Sequence, residues 1–148
     1  MVKISSQCRL FFGIPIPNDI AHNFNSLIIA SSPNIENQGR WIVAGNHHIT
    51  LRFIASMDLA LIPQLIESAD VSIQGVMPFR LTADTLAIFK ATHQPRFIAA
   101  NIQLSNNLQT LQDRIESCIL NLGLSPRPRP FSPHITLCRF NQKIDIKF

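Results

Sequence analysis

The alternation of apolar and polar positions divides the chain into short strands and three amphipathic helices. Residues 7–14 form an apolar, β-prone run that Pro15-x-Pro17 stops, which predicts a buried strand. From Asn18 or Asp19, either able to cap a helix, Ile20, Phe24, Leu27 and Ile28 recur at helical spacing to about Ala30. A polar loop containing Pro33 follows over 31–39. Residues 40–43 and 47–54 read as short strands around the turn-prone Ala44-Gly45-Asn46. A second amphipathic helix is predicted over 57–69, capped near Ser56 or Asp58. Three strand-like runs follow at about 76–82, 85–91 and 96–103, the last two parted by Thr92-His93-Gln94-Pro95. Ser105 caps a third helix whose Leu108, Leu111, Ile115, Ile119 and Leu122 share one face, and Gly123 ends it. The proline- and arginine-rich 125–133 must run extended, the last clear strand covers 134–140, and 144–148 reads as a further edge strand. Helices alternating with pairs and triplets of strands predict an α+β fold with antiparallel sheets rather than a parallel doubly wound one.

Composition narrows the class. With 46% hydrophobic and 15% charged residues, a chain of 148 can bury a real core as one domain, or as two small lobes sharing a cleft. No apolar run approaches the roughly 20 residues of a membrane span, and charge and proline interrupt the first apolar stretch, unlike a signal peptide. Cys8, Cys118 and Cys138 are an odd, widely spaced set without a C-x-x-C pair, which reads as reduced thiols in a cytoplasmic protein. Glycine-rich phosphate loops are absent, which argues against nucleoside triphosphate or dinucleotide binding. The net charge of +4 is localised. Residues 1–124 carry eight Lys/Arg against eight Asp/Glu, whereas 125–148 carry five against Asp145 alone. That basic end suits a polyanionic partner, though a solvated tail has the same composition.

The chemistry lies in a repeat. His48-Ile49-Thr50-Leu51 returns as His134-Ile135-Thr136-Leu137, and the second copy sits inside the basic stretch. Side chains at i and i+2 of a strand share a face, so each copy presents an imidazole and a hydroxyl together while Ile and Leu anchor it from behind. Two such strands facing each other would surround a small cavity with two imidazoles and two hydroxyls. One neutral imidazole can take a proton while an imidazolium gives one, and the threonines can donate to the oxygens of a phosphate between them. A lone strand histidine is more often structural, but packing does not call for His-x-Thr-Leu twice. A zinc site from His47, His48 and His134 is the competing reading. Adjacent strand histidines point to opposite faces, and no carboxylate or Cys pair completes a tetrahedral set, so no metal is expected.

Arg9-Leu10-Phe11-Phe12-Gly13-Ile14-Pro15, Trp41 with Asn46-His47-His48-Ile49-Thr50-Leu51, and Arg129-Pro130-Phe131-Ser132-Pro133-His134-Ile135-Thr136-Leu137-Cys138-Arg139 resemble the two-histidine phosphoesterase superfamily. Within it the chain is similar to the RNA 2′,3′-cyclic phosphodiesterases, also called LigT-like or 2′-5′ RNA ligases, from about residue 7 to 140. The resemblance implies one domain over 1–148 with a bilobed α+β fold: two antiparallel sheets, helices outside, and one His-x-Thr from each lobe in a central cleft. It implies metal-free, cofactor-free hydrolysis of RNA 2′,3′-cyclic phosphate ends to 2′-phosphates, with 2′-5′ ligation as the reverse-type reaction. His48 and His134 become the acid–base pair, His48 protonating the leaving oxygen and His134 activating water, and Thr50 and Thr136 the phosphate clamps. Arg139 matches the family's His-x-Thr-x-x-Arg and would contact the phosphate, although strict alternation turns it away from His134, so a bulge or the strand's end must bring it round.

The other candidates are read from their positions. Phe12 and Phe131 can stack a base or ribose, and as phenylalanines beside strands both also fit a core. Arg52 shares the expected face of His48 and Thr50 and either extends phosphate contact or reaches solvent. Cys138 shares that of His134 and is read as filler, His47 as structural support, and His22 and His93 receive no role. Relatives of this type continue for tens of residues beyond the second motif, whereas eight residues follow Phe140 here. The expectation is a C-terminally short member with missing strands and a homodimer formed through an exposed sheet edge. The competing functions are a non-catalytic RNA-end-binding protein and a phosphodiesterase for another small cyclic or 2′-5′-linked nucleotide.

Overall fold

The computed structural model describes residues 6–31, 38–91 and 94–141. In chain order the elements are β1 (Gln7–Pro15), α1 (Asn18–Ser31), β2 (Arg40–Trp41), β3 (His48–Asp58), α2 (Ile62–Ile73), β4 (Ala83–Ala91), β5 (Gln94–Ile102), α3 (Asn106–Asn121) and β6 (His134–Arg139). Single 3-10 turns at Ala44–Asn46 and Leu59–Leu61 precede β3 and α2. The class is α+β, as the pattern of elements predicts. The expected loop around 32–37, the turn at Thr92 and His93, and the strand at 144–148 lie outside the described residues.

The chain gathers into two compact units. The first draws on residues up to Gly13, 50–81 and 104–132; the second on 14–49, 82–103 and from Pro133 onward. In the first, Leu51, Ile54 and Met57 of β3 are buried, as are Leu65 and Ala69 of α2 and Leu108, Ile115, Cys118 and Ile119 of α3. The two helices pack on each other. In the second, Ala21 and Ile28 of α1 are buried together with Ile49, Ile98, Ala100, Ile102, Ile135, Leu137 and Cys138. The inward stripe of α1 is thus Ala21 and Ile28 with half-buried Phe24, while Ile20 and Leu27 face outward.

The strand order is β1-β3-β6-β5-β4, with β2 also paired to β6. Sequence reading expects two sheets; the six described strands instead join in one, because β1 and β3 each carry residues of both units. Every pairing of β6 is antiparallel: to β3 through Ile49 and Ile135, to β2 through Trp41 and Cys138, and to β5 from Phe97–Arg139 to Asn101–His134.

Two predicted elements differ. The helix expected from residue 57 begins at Ile62, because β3 continues to Asp58: Met57 is 1% exposed, and Leu59 N donates to Ser6 O at 2.9 Å. Burial and pairing override the helical spacing there. Asp58 caps the 3-10 turn Leu59–Leu61 rather than the helix, its carboxylate accepting from Ala60 N at 3.0 Å, while α2 starts after Leu61 without a side-chain cap. Residues 76–82 form no strand; Pro78 has no N–H for a ladder. The third helix matches, with Ser105 Oγ accepting from Leu108 N at 3.2 Å and Gly123 at a φ of +80° that suits glycine.

Candidate active site

The second unit contains both histidines of the repeat. Ile49 and Ile135 pair antiparallel and are 0% and 2% exposed, so their flanking residues turn to the opposite face. Extending the ladder by one residue sets His48 beside Thr136, with His134 the diagonal neighbour of His48 on that face. Diagonal positions in an antiparallel pair are about 7–8 Å apart, within reach of side chains of this length. His48, Thr136 and His134 are all half-buried. Thr50 follows His48 by two residues on the same strand and is likewise half-buried, being the first β3 residue of the other unit.

Local contacts aim the imidazoles. Nδ1 of His48 lies 2.8 Å from Asn46 O, in the 3-10 turn before the strand. With Nδ1–H donating to that carbonyl, the tautomer is set so that Nε2 is the basic ring nitrogen. His134 packs against Phe97 (ring centroids 5.6 Å apart) and Phe89 (5.2 Å). His47 points inward at 1% exposure, its Nε2–H donating to Ile42 O at 3.0 Å. Burial holds its imidazole below the ordinary value of 6.5, outweighing the Ile42 carbonyl; His48 and His22 push the same way. Among the described residues, no three His, Cys, Asp or Glu gather to hold a metal ion.

Arg139 reaches the histidine face through an irregularity. In the β5–β6 ladder Ile98 pairs with Cys138 but Ala99 pairs with Thr136, so Leu137 is an extra residue, a β-bulge. The bulge resets alternation. Cys138 turns inward to 0% exposure, and Arg139 emerges on the side of His134, its guanidinium carbon 5.8 Å from the Phe97 ring centre. Cys138 therefore does not share the face of His134 as strict alternation implies. Burial pushes its thiol up to about 11, which leaves it unreactive at neutral pH. Gly39 packs on the inward side, where an added methyl would overlap the Cys138 sulfur and approach Phe140 to 2.7 Å.

Arg52 does not extend toward solvent. It is 9% exposed, with Nε 2.7 Å from Glu116 Oε2, one terminal nitrogen donating to Phe53 O at 2.7 Å and the other to Ser125 O. Glu116 also accepts from Arg127 N at 2.9 Å. This network binds 125–127 to the first motif strand within one unit. Phe12 is half-buried on the inner side of β1, whereas Phe11, 48% exposed, and Arg9 face out, Arg9 lying 5.3 Å over the Phe53 ring. Phe131 is half-buried in the extended segment before β6. Phe89 and Phe97 do not stand out in the sequence; the only signal is two aromatics on either side of a predicted hairpin turn.

Known proteins resemble this chain in sequence and in fold. A family model described as the 2′-5′ RNA ligase superfamily matches residues 44–147, which include both His-x-Thr strands. The RNA 2′,3′-cyclic phosphodiesterase of Bacillus subtilis (strain 168) is 27% identical over 129 residues, covering 87% of this chain and 69% of its own. A crystal structure of a Thermus thermophilus protein superposes with a TM-score of 0.81 at 19% identity, covering 94% of this chain and 78% of that one. E. coli LigT in its apo form has the same fold, with a TM-score of 0.69 at 24% identity over 97% of this chain and 78% of its own. A family match over that span makes this chain a member of the 2′-5′ RNA ligase superfamily.

Proposed function

We propose that the protein hydrolyses RNA 2′,3′-cyclic phosphate ends to 2′-phosphates by acid–base catalysis between His48 and His134, with 2′-5′ ligation as the reverse-type reaction. The observation that carries this reading is the Ile49–Ile135 pairing, which turns His48, Thr136 and His134 to one face of adjacent strands. Family membership and a relative named RNA 2′,3′-cyclic phosphodiesterase support it.

In the hydrolytic direction a water attacks phosphorus and the P–O3′ bond breaks. Neutral His134 takes the proton from water as the P–O bond forms. The His48 imidazolium, whose Nδ1–H is held by the Asn46 carbonyl, gives its Nε2 proton to the departing O3′. Ligation exchanges the roles. Thr50 and Thr136 donate to the non-bridging oxygens, and Arg139 adds a positive charge where the phosphorane gathers negative charge. No step calls for a metal ion, because both proton transfers run through imidazoles. Phe12 and Phe131 are half-buried, and no step depends on them.

An oligoribonucleotide ending in a 2′,3′-cyclic phosphate, incubated with the protein in EDTA, is expected to yield a 2′-phosphate end. Tight binding without turnover would assign the chain to RNA-end binding, and turnover abolished by EDTA would sink the metal-free mechanism. The substrate and the reduced thiols suit the cytoplasm, and among the described residues no helix is long and apolar enough to cross a membrane. Pairing of two copies along a sheet edge belongs to the same reading, with β4 at one end of the described strand order. Light scattering showing only monomer at micromolar concentration contradicts that assembly.

A further inference from the structure

We infer that Phe97 and Phe89 are positioning residues for His134, with Phe97 also setting the guanidinium of Arg139. This rests on the reaction proposed above and adds residues that neither the repeat nor its flanking motifs contain.

The register defines how the rings reach the histidine. Across β4, β5 and β6 the paired positions form three rows on one face: Phe89–Phe97–Arg139, Ala87–Ala99–Thr136 and Thr85–Asn101–His134. The middle row is small, and on either side of it stand the aromatic row and the His134 row. Phe89 is two strands from His134, about 9–10 Å in the hydrogen-bonding direction, yet their ring centres are 5.2 Å apart. The rings must therefore lean across the alanine row. Ala99 is 0% exposed although it lies on the outward face with Thr136, as expected for a methyl roofed by aromatic rings. Side chains larger than alanine at 87 and 99 would occupy the space the rings cross.

The two phenylalanines brace each other. Their planes are 8° from parallel with centroids 4.5 Å apart, and Phe97 lies 25° from the His134 plane. A stack of three rings restricts the imidazole about its terminal torsion, which is otherwise broad and two-fold. The aromatic face also attracts the positive charge that His134 acquires on taking a proton from water. Phe97 receives a second cation, since the Arg139 guanidinium carbon lies 5.8 Å from its centroid. One ring thus fixes both a proton-accepting imidazole and a phosphate-facing guanidinium, while Phe89 contacts the imidazole directly and bears on the guanidinium only through Phe97. On the remaining row Asn101 Nδ2 donates to Thr85 Oγ1 at 3.0 Å, tying β5 to β4 beside His134.

That division of labour separates two variants. Phe89→Leu is expected to lower kcat roughly tenfold with KM within about twofold of wild type, since Phe97 stays in place under Arg139 and the main loss is the direct contact with His134. Phe97→Leu is expected to lower kcat by as much and also raise KM, because Arg139 loses its support. Phe97→Tyr, which keeps the ring, should restore most of both. The imidazole protons of His134, followed by NMR in the free protein, should be shifted upfield by the phenyl rings, and each Leu variant should move them back. Folded Leu variants with wild-type kcat and unmoved His134 resonances overturn the positioning role. Identical kcat and KM changes in the two variants overturn the added role of Phe97 at Arg139. A wild-type protein without turnover overturns the reaction instead, and the His134 resonances then report on the stack independently.

Discussion

At the scale of single residues, His47 and His48 occupy adjacent positions with different surroundings. His47 is buried, with Nε2–H donating to Ile42 O and Nδ1 without a hydrogen-bond partner among the described residues, so a proton added there would place a charge inside the second unit. Its folded pKa is lowered while the unfolded chain keeps the ordinary 6.5. Above that value both states are neutral at this site and stability is complete. As pH falls below about 6.5 the unfolded chain takes up a proton the folded chain refuses, and stability declines until the folded pKa is passed. Urea midpoints are therefore expected to fall as pH drops from 7 toward 5, with a weaker fall in His47→Gln. Equal pH dependence in the two proteins would refute the role. Strand alternation is enough to separate His47 from His48 in the sequence, because a period of two leaves no third face. Arg52 is not legible in the same way. Its partner Glu116 is 64 residues away, and no local pattern announces that pair.

Among the elements, what is legible is what local periodicity controls. The capped third helix and the strands around both repeats follow from spacing alone. The second helix starts later than its spacing predicts, since Met57 and Asp58 satisfy a helical pattern but are claimed by β3 and its pairing with the chain before β1. The bulge at Leu137 shows the opposite case: Arg139 requires either a bulge or the end of the strand, and the β5–β6 register contains the bulge. The stack of Phe89 and Phe97 is not legible, because a cross-strand contact depends on register rather than on spacing within either strand. Packing at this scale is tied by the Arg52–Glu116 pair, whose side chains are 9% and 13% exposed. Removing one partner of a largely buried pair leaves the other charge uncompensated. Glu116→Ala is therefore expected to lower stability by about 3 kcal/mol in denaturant melts. It also frees the Arg127 amide, loosening the segment that leads into β6. A loss below about 0.5 kcal/mol, the range of an ordinary surface change, would show that the pair contributes little.

For the whole molecule, the α+β class and the pairing of two similar strands are readable from one repeated string. The joining of six strands in one sheet is not, since it depends on β1 and β3 each passing through both units. What the fold adds to the string is proximity: Ile49 and Ile135 form a backbone pair, and the histidines beside them become neighbours on one face. The central claim is that these two imidazoles carry both proton transfers. Its most direct test is turnover of an oligoribonucleotide 2′,3′-cyclic phosphate by wild type, His48→Ala and His134→Ala, with circular dichroism confirming that each variant is folded. Loss of either transfer is expected to lower kcat by about 10²–10⁴-fold. A folded variant of either histidine that retains wild-type kcat would contradict the account.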